Sequence, residues 1–363
     1  MHSALRARRL NHRANADAAG VELGRSPPVM NWERGVTLDS EAAQDRLPDQ
    51  QKAPGPEQSQ LTVVLALSAN TVVAVAKTAT AVVTGSASMV AEAAHSWADT
   101  GNEIFLLVAQ RRSRRPANAE HPGGFGREAY VWSMFAAMGL FAAGAAVSII
   151  HGFQQLFTPE PAEHFLVAYL VLGLALLLEG GSFFQSVRQG RHEAARADRD
   201  LLEHILATSD PTLRAVFAED AAALIGIVVA CAGIALHQVT GSSLPDALGS
   251  ILVGLLLAVT SVILIDRNRR FLVGEAVQPE IRQAALTNLL SSEEIRSVSY
   301  LHLEYSGPQK VSLLARVDLT DDAPESLVAA RIAALERTIE ARPGISRAVL
   351  TLSHPDSPPL TTP

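Results

Sequence analysis

The stretch AEAAHSWADTGNEIFLLVAQRRSRR, residues 91–115, sets Glu92, His95, Asp99 and Glu103 into an otherwise apolar run and closes it with Arg111, Arg112, Arg114 and Arg115. A helix needs about 20 mostly apolar residues to cross the hydrocarbon core of a bilayer. Charged groups inside such a helix cost roughly 2.5–3.5 kcal/mol each on insertion scales, so a span that keeps them has a task for them. Either this is a poor membrane span with working polar groups, or it is no span at all. The flanking sequence decides.

Five further segments carry the apolar length of a span: Leu61 to Val83, Val131 to Phe157, Phe165 to Phe184, Leu213 to Leu236 and Leu244 to Ile265. With Ser88 to Ala109 they make six. The fifth holds Arg214, Glu219 and Asp220 in its opening turns. Loop charges set the topology. Arginines follow the second span (Arg111 to Arg127), the fourth (Arg188, Arg191, Arg196, Arg199) and the sixth (Arg267, Arg269, Arg270), and the other three connections hold no Lys or Arg. This positive-inside alternation puts both termini in the cytoplasm and requires an even number of spans. Residues 88–109 are therefore read as a span, and the 58–274 region as a six-transmembrane-helix all-α bundle.

The ends differ. Residues 1–57 mix Arg, Asp, Gln and Pro without an apolar period, as in a disordered cytoplasmic tail. No basic start leads into a short apolar core and cleavage site, so a signal peptide is not expected; Met30 is an alternative start. Residues 275–357 read as a small cytosolic α+β domain in the order αββαβ, ferredoxin-like. It comprises helical spacing over Gln278 to Leu290, alternating strands over Val298 to Tyr305 and Lys310 to Leu319, a helix over Ser326 to Ala341, and a strand over Arg347 to Leu352. The Pro-rich 358–363 end is expected to fray. In the whole chain, 48% hydrophobic and 18% charged residues are unlike a soluble protein, and the net charge of -7 offers no basic patch for nucleic acid. The single cysteine, Cys231, rules out an internal disulfide and a thiolate zinc cluster.

His95 and Asp99, four residues apart, share one helical face about 5–6 Å apart at Cβ. Imidazole nitrogen and carboxylate oxygen are zinc ligands. If the second and fifth spans pack together, Asp220 adds a third ligand. Interhelical packing glue and a proton relay are the other readings of the same residues.

The run Ala91 to Asp99 resembles the second-span signature of the cation diffusion facilitator family of divalent metal–proton antiporters. His121-Pro122-Gly123-Gly124-Phe125-Gly126-Arg127-Glu128 resembles the family's short motif before the third span, and Gly274-Glu275-Ala276 agrees as well. The Glu219 to Ala223 run is most similar to the branch that includes the zinc transporter 9 group. The resemblance implies a homodimer that carries a divalent ion, zinc first with manganese, iron and cobalt behind it, by alternating access in exchange for protons. It implies no resident cofactor, and a site in a bacterial-type inner membrane. His95, Asp99 and Asp220 match ligand positions; a fourth falls on Val216, so Glu219 or water completes the shell, or the site has three protein ligands. His95 is the expected exchange group, since an imidazole titrates near about 6.5 when unperturbed.

Glu120 and His121 are expected to shape their loop, and His302, Asp318 and His354 to be solvated. Lys77 and Asn70 are expected to be interhelical or snorkelling groups, and Asp246 to cap the sixth span. A non-transporting metal-binding scaffold is the first alternative. An intramembrane metallohydrolase is the second, but the chain has no His-Glu-x-x-His motif.

Overall fold

The computed structural model describes residues 56–159, 164–196, 199–354 and 356–361. The expected tail, its basic residues and the alternative start at Met30 lie outside the described residues.

Six long helical segments pack into a bundle. They are α1 (Pro56–Thr84), α2 (Ala87–Ser113), α3 (Glu128–Gly139) continued through a π-helical segment (Leu140–Ala146) into α4 (Val147–Phe157), α5 (Phe165–Arg196), α7 (Pro211–Thr240) and α8 (Leu244–Val273). A short α6 (Leu201–Ala207) links α5 to α7. Four of these segments, Glu128–Phe157, Phe165–Ala195, Pro211–Thr240 and Leu244–Val273, are long and apolar enough to cross a membrane. The apolar part of α1 is shorter, Asn70–Thr84, and α2 keeps its charge. Leucines and valines such as Leu166, Leu177, Val239 and Val262 stand exposed around the bundle, as a lipid-facing surface requires.

Two arrangements hold the bundle's polar groups. Lys77 on α1 is fully buried, and its Nζ donates to Glu92 Oε2 on α2 at 2.9 Å and to Glu179 Oε1 on α5 at 2.8 Å. It is an interhelical group, not a snorkelling one. Asp246 corrects its expected role: it caps α2 rather than its own helix. Oδ1 accepts from Ser86 Oγ at 2.9 Å and Ser88 N at 3.2 Å, and Oδ2 from Ala87 N at 2.7 Å. The first N–H groups of a helix have no partner within it, and a carboxylate there also meets the positive end of the dipole. The buried carboxylate therefore finds its donors on α2.

Beyond the bundle, α9 (Pro279–Leu290), β1 (Ile295–Gly307), β2 (Lys310–Leu319), α10 (Glu325–Glu340) and β3 (Ile345–Leu352) follow in the expected αββαβ order. The sheet runs β1-β2-β3, with β1 and β2 antiparallel (Leu301 opposite Ala315) and β2 and β3 parallel (Ala315 opposite Leu350). The parallel pair needs the crossover that α10 supplies. The core formed by Leu286, Leu289, Val298, Leu313, Ala315, Leu335 and Leu350 continues into Tyr130 of α3 and Phe271 of α8. Leu360 also packs on it and donates its N–H to Val298 O at 2.7 Å, where the sequence suggested a frayed end.

Removing one partner of a buried ion pair leaves a bare charge and costs about 3–5 kcal/mol. Lys77→Met should accordingly lower the thermal unfolding midpoint in detergent by several degrees. Adding Glu92→Gln and Glu179→Gln should recover part of the loss. An unchanged midpoint in the single variant would mean that the triad does not hold these helices together.

Candidate metal centre

On α2, His95, Asp99 and Glu103 fall at i, i+4 and i+8 and form one stripe along the helix. His95 is 1% exposed, and its Nε2 lies 3.2 Å from Asp99 Oδ2. Asn70 Nδ2 on α1 donates to Glu103 Oε1 at 2.6 Å. Four atoms of the stripe, both ring nitrogens of His95, Asp99 Oδ1 and Glu103 Oε2, are buried without a hydrogen-bond partner among the described residues. Buried polar atoms are normally satisfied, so a cluster of bare ones is where a ligand or water belongs.

The two acids of α7 diverge. Glu219, 8% exposed, turns to α2, where Asn102 Nδ2 donates to its Oε2, and its Oε1 is left without a partner among the described residues. Asp220 turns to α5, where Ser182 Oγ and Ser186 Oγ donate to its Oδ2 at 2.9 and 3.3 Å. Adjacent residues sit about 100° apart around a helix, which is why one acid reaches each neighbour. Glu219 interacts electrostatically with Asp99, Glu103 and Asp220, so the four carboxylates share one neighbourhood. Of the expected ligands, then, His95 and Asp99 meet directly. Asp220 is near but aimed at α5, and Glu219 is held by Asn102. Among the described residues no three His, Cys, Asp or Glu side chains converge on one point.

A polar cavity of about 540 Å³ reaches this neighbourhood from the arginine-bearing ends of the helices. Its wall includes Ser113 and Arg114 after the second span, Ser182, Gln185 and Ser186 of α5, and Thr212 and Val216 of α7. Ser182 and Ser186 both line the cavity and hold Asp220. The cavity thus comes as close to the acids as the two serines that hold Asp220, while His95 and Asp99 lie outside its wall.

The peripheral candidates stay apart. Glu120 and His121 are exposed, and His121 packs its ring on Phe125 at 4.4 Å. His302 pairs with Glu304, Asp318 with Arg296, and His354 with Asp356.

Residues 63–273 match the Cation efflux transmembrane domain, more than half of the chain. The chain belongs to the cation efflux family. It is 37% identical over 238 residues to "Proton-coupled zinc antiporter SLC30A9, mitochondrial" of Xenopus laevis, a match covering 65% of this chain and 42% of that one. It is 34% identical over 230 residues to "Metal tolerance protein C4" of Arabidopsis thaliana, covering 63% of this chain and 50% of the relative. With "Cation-efflux pump FieF" of Cronobacter sakazakii the identity is 27% over 245 residues, 66% of this chain and 74% of that one. The chain thus spans half or less of the length of the first two relatives. The family that the second-span motif resembles, and the branch that the Glu219 to Ala223 run resembles, are the ones found, and the relatives bear antiporter and efflux-pump names rather than enzyme names.

Sequence reasoning passed over four residues that the structure of this cation efflux protein places beside the expected ligands: Asn102, Glu103, Ser182 and Ser186. Glu103 had a signal, being one more turn along the His95–Asp99 face. The serines and Asn102 had none, because their role depends on which helix packs opposite. Metal binding to imidazole and carboxylate displaces protons. Zinc added to the purified protein in weak buffer should release protons, and its apparent affinity should fall roughly tenfold for each unit the pH is lowered, per proton displaced. A pH-independent affinity would count against imidazole and carboxylate ligation.

Proposed function

We propose that this protein carries divalent metal ions, zinc foremost, out of the cytoplasm in exchange for protons. The observation that carries the reading is the His95–Asp99 pair with bare donor atoms inside the bundle, beside a polar cavity that opens on the positively charged side and extends to the serines holding Asp220. The names of its relatives, a proton-coupled zinc antiporter and a cation-efflux pump, support the same cargo and direction.

In this reading all six long helices cross the membrane. The loop arginines hold both termini and the αββαβ domain in the cytoplasm, in a bacterial-type inner membrane. The cytosolic domain, residues 275–357, and the bundle, residues 58–274, form a homodimer with a second copy. A metal ion entering the cavity meets His95, Asp99 and Asp220, with Glu219 in reach. Asp220 leaves its serine donors to complete the shell, and the imidazole gives up any proton it holds. When the bundle opens to the far side, protons from there reload His95 and the carboxylates and expel the ion. The protonated site then returns inward. Mixed N and O donors accept zinc, and they also accept cobalt, iron and manganese; geometry ranks them.

The test is metal-driven proton movement in proteoliposomes. Wild type should show zinc-dependent flux, with His95→Ala and Asp99→Ala reducing it by at least about a hundredfold, as expected for a lost ligand and its donors. Cobalt, iron and manganese run in parallel rank the substrates. No flux for any metal with folded, inserted protein would overturn the carrier reading and leave a metal-binding scaffold.

A further inference from the structure

The packing of α2 on α7 supplies a register. Asn102 donates to Glu219, a Cβ on Gly226 would stand 2.8 Å from Glu92 Oε1, and one on Gly233 would stand 3.1 Å from Ser88 Oγ. Residue numbers on α2 fall as those on α7 rise, so the helices are antiparallel and close. At about 1.5 Å of rise per residue, Glu103 lies level with the α7 turn that begins at Val216.

That level is the mouth side of the site. The cavity is lined by Ala109, Gln110 and Ser113 of α2, about two to three turns beyond Glu103, and by Thr212, Leu213 and Val216 of α7. Val216 stands one turn mouthward of Asp220 and offers no donor. Glu103 stands one turn mouthward of Asp99 and does. Its Oε1 is held by Asn70, which fixes the carboxylate, while Oε2 is buried and has no hydrogen-bond partner among the described residues. Glu103 interacts electrostatically with Asp99 and Asp220. Glu219, more than nine-tenths buried, leaves a second bare oxygen, Oε1, in the same neighbourhood.

We propose that Glu103 is a ligand of the metal site, supplying from α2 the donor that α7 lacks at Val216. His95 and Glu103 are separated by about 12 Å of helical rise, so an ion held by Asp99 and Glu103 sits mouthward of His95, in a shell drawn mainly from carboxylates. Such an oxygen-rich set suits manganese and iron better than a set with two imidazoles would. The inference rests on the metal-site reading above and names a residue within it.

The experiment uses the purified full chain in detergent and measures the equilibrium affinity for zinc and for manganese by competition with a chromophoric chelator. Glu103→Gln keeps shape and removes charge; it should weaken both metals at least tenfold, manganese more than zinc. Asn70→Ala keeps the carboxylate and should change affinity less than threefold. Val216→Asp added to Glu103→Gln should restore binding, because it returns a carboxylate at the same level from the other helix. The visible absorption of bound cobalt should change in Glu103→Gln and stay unchanged in Asn70→Ala.

Wild-type affinity in Glu103→Gln would overturn the proposal. So would equal losses in Glu103→Gln and Asn70→Ala, which would make Glu103 a packing group. His95→Ala and Asp99→Ala run alongside separate the two readings. If they abolish binding and Glu103→Gln does not, only the Glu103 assignment falls. If neither alters binding, the metal site itself is elsewhere.

Discussion

Lys77 carries an ammonium group into the middle of a bundle whose outer surface is leucine and valine, and it is tolerated there because Glu92 and Glu179 come from two other helices to meet it. An uncompensated charge at that depth is expensive, and every neighbouring group is subject to the same constraint. The bundle can be sorted by how each polar side chain satisfies it. Asp246 commits both oxygens to the start of α2. Asn268 joins Arg214 Nη2 and Ser133 Oγ. Ser148, Ser250 and Ser261 return their hydroxyls to backbone carbonyls. These groups have found their partners within the protein, and they hold helices together. Among the described residues bare atoms also remain elsewhere, on Glu92, Gln155, Glu179, Arg214 and His237, but the remainder along one stripe of α2 and on Glu219 of α7 is the set that puts imidazole nitrogen beside several carboxylate oxygens. The site is recognised by that combination, since Lys77 and Glu92 are as polar as His95 and Asp99.

Close approach of α2 to α7 and α8 is what creates the remainder. Ser88 lies against Gly233 and Gly249, and Glu92 lies against Gly226, each too near to admit a side chain without displacement. The backbones therefore come close enough for Asn102 to reach Glu219, and the apolar bulk that would otherwise screen the acids is absent. On the other side of α2 the π-helical segment, Leu140–Ala146, passes Gly144 against Leu257 and Ala98. A π-turn inserts one residue and reorients the helix beyond it, and such segments often sit near working sites.

Much of this was legible. The apolar runs placed the long helices, because hydropathy is a property of composition that survives without knowing the packing. The His95–Asp99 contact was legible for a similar reason: i and i+4 are neighbours in any helix. The failures all involve a partner on another element. Asp246 sits beside Pro245 at a helix start and reads as a local cap, yet its donors are on α2. Asp220 is read against the second span alone, and the two serines that donate to it, on α5, are not foreseen. Leu360 follows a Pro-rich run and reads as frayed, yet the core of the αββαβ domain has a place for it. The π segment was invisible because a run of Ala and Gly carries no period to break.

The loop before α3 shows what its glycines do. Gly126 lies against the backbone of Ser306 and Gly307 at the tip of the β1–β2 hairpin, so neither glycine has room for a Cβ. Arg127 pairs with Glu304, and Tyr130 stacks on Phe271, which meets Tyr305 edge-on at 5.4 Å between ring centres. The guanidinium of Arg214 lies 5.3 Å over the same Phe271 ring, and its Nη1 donates to Thr208 O at 2.9 Å. Arg214 belongs to the first turns of α7, about two turns from Asp220. The helix carrying the second half of the proposed site is thus anchored on the aromatic stack that joins bundle and sheet. The contacts are short, aromatic and charged rather than a broad apolar face, and charge–ring contacts of this kind are worth about 0.5–2 kcal/mol each. An anchor of that strength fixes the Arg214 end of α7 through ring and charge, about two turns from the serines that hold Asp220.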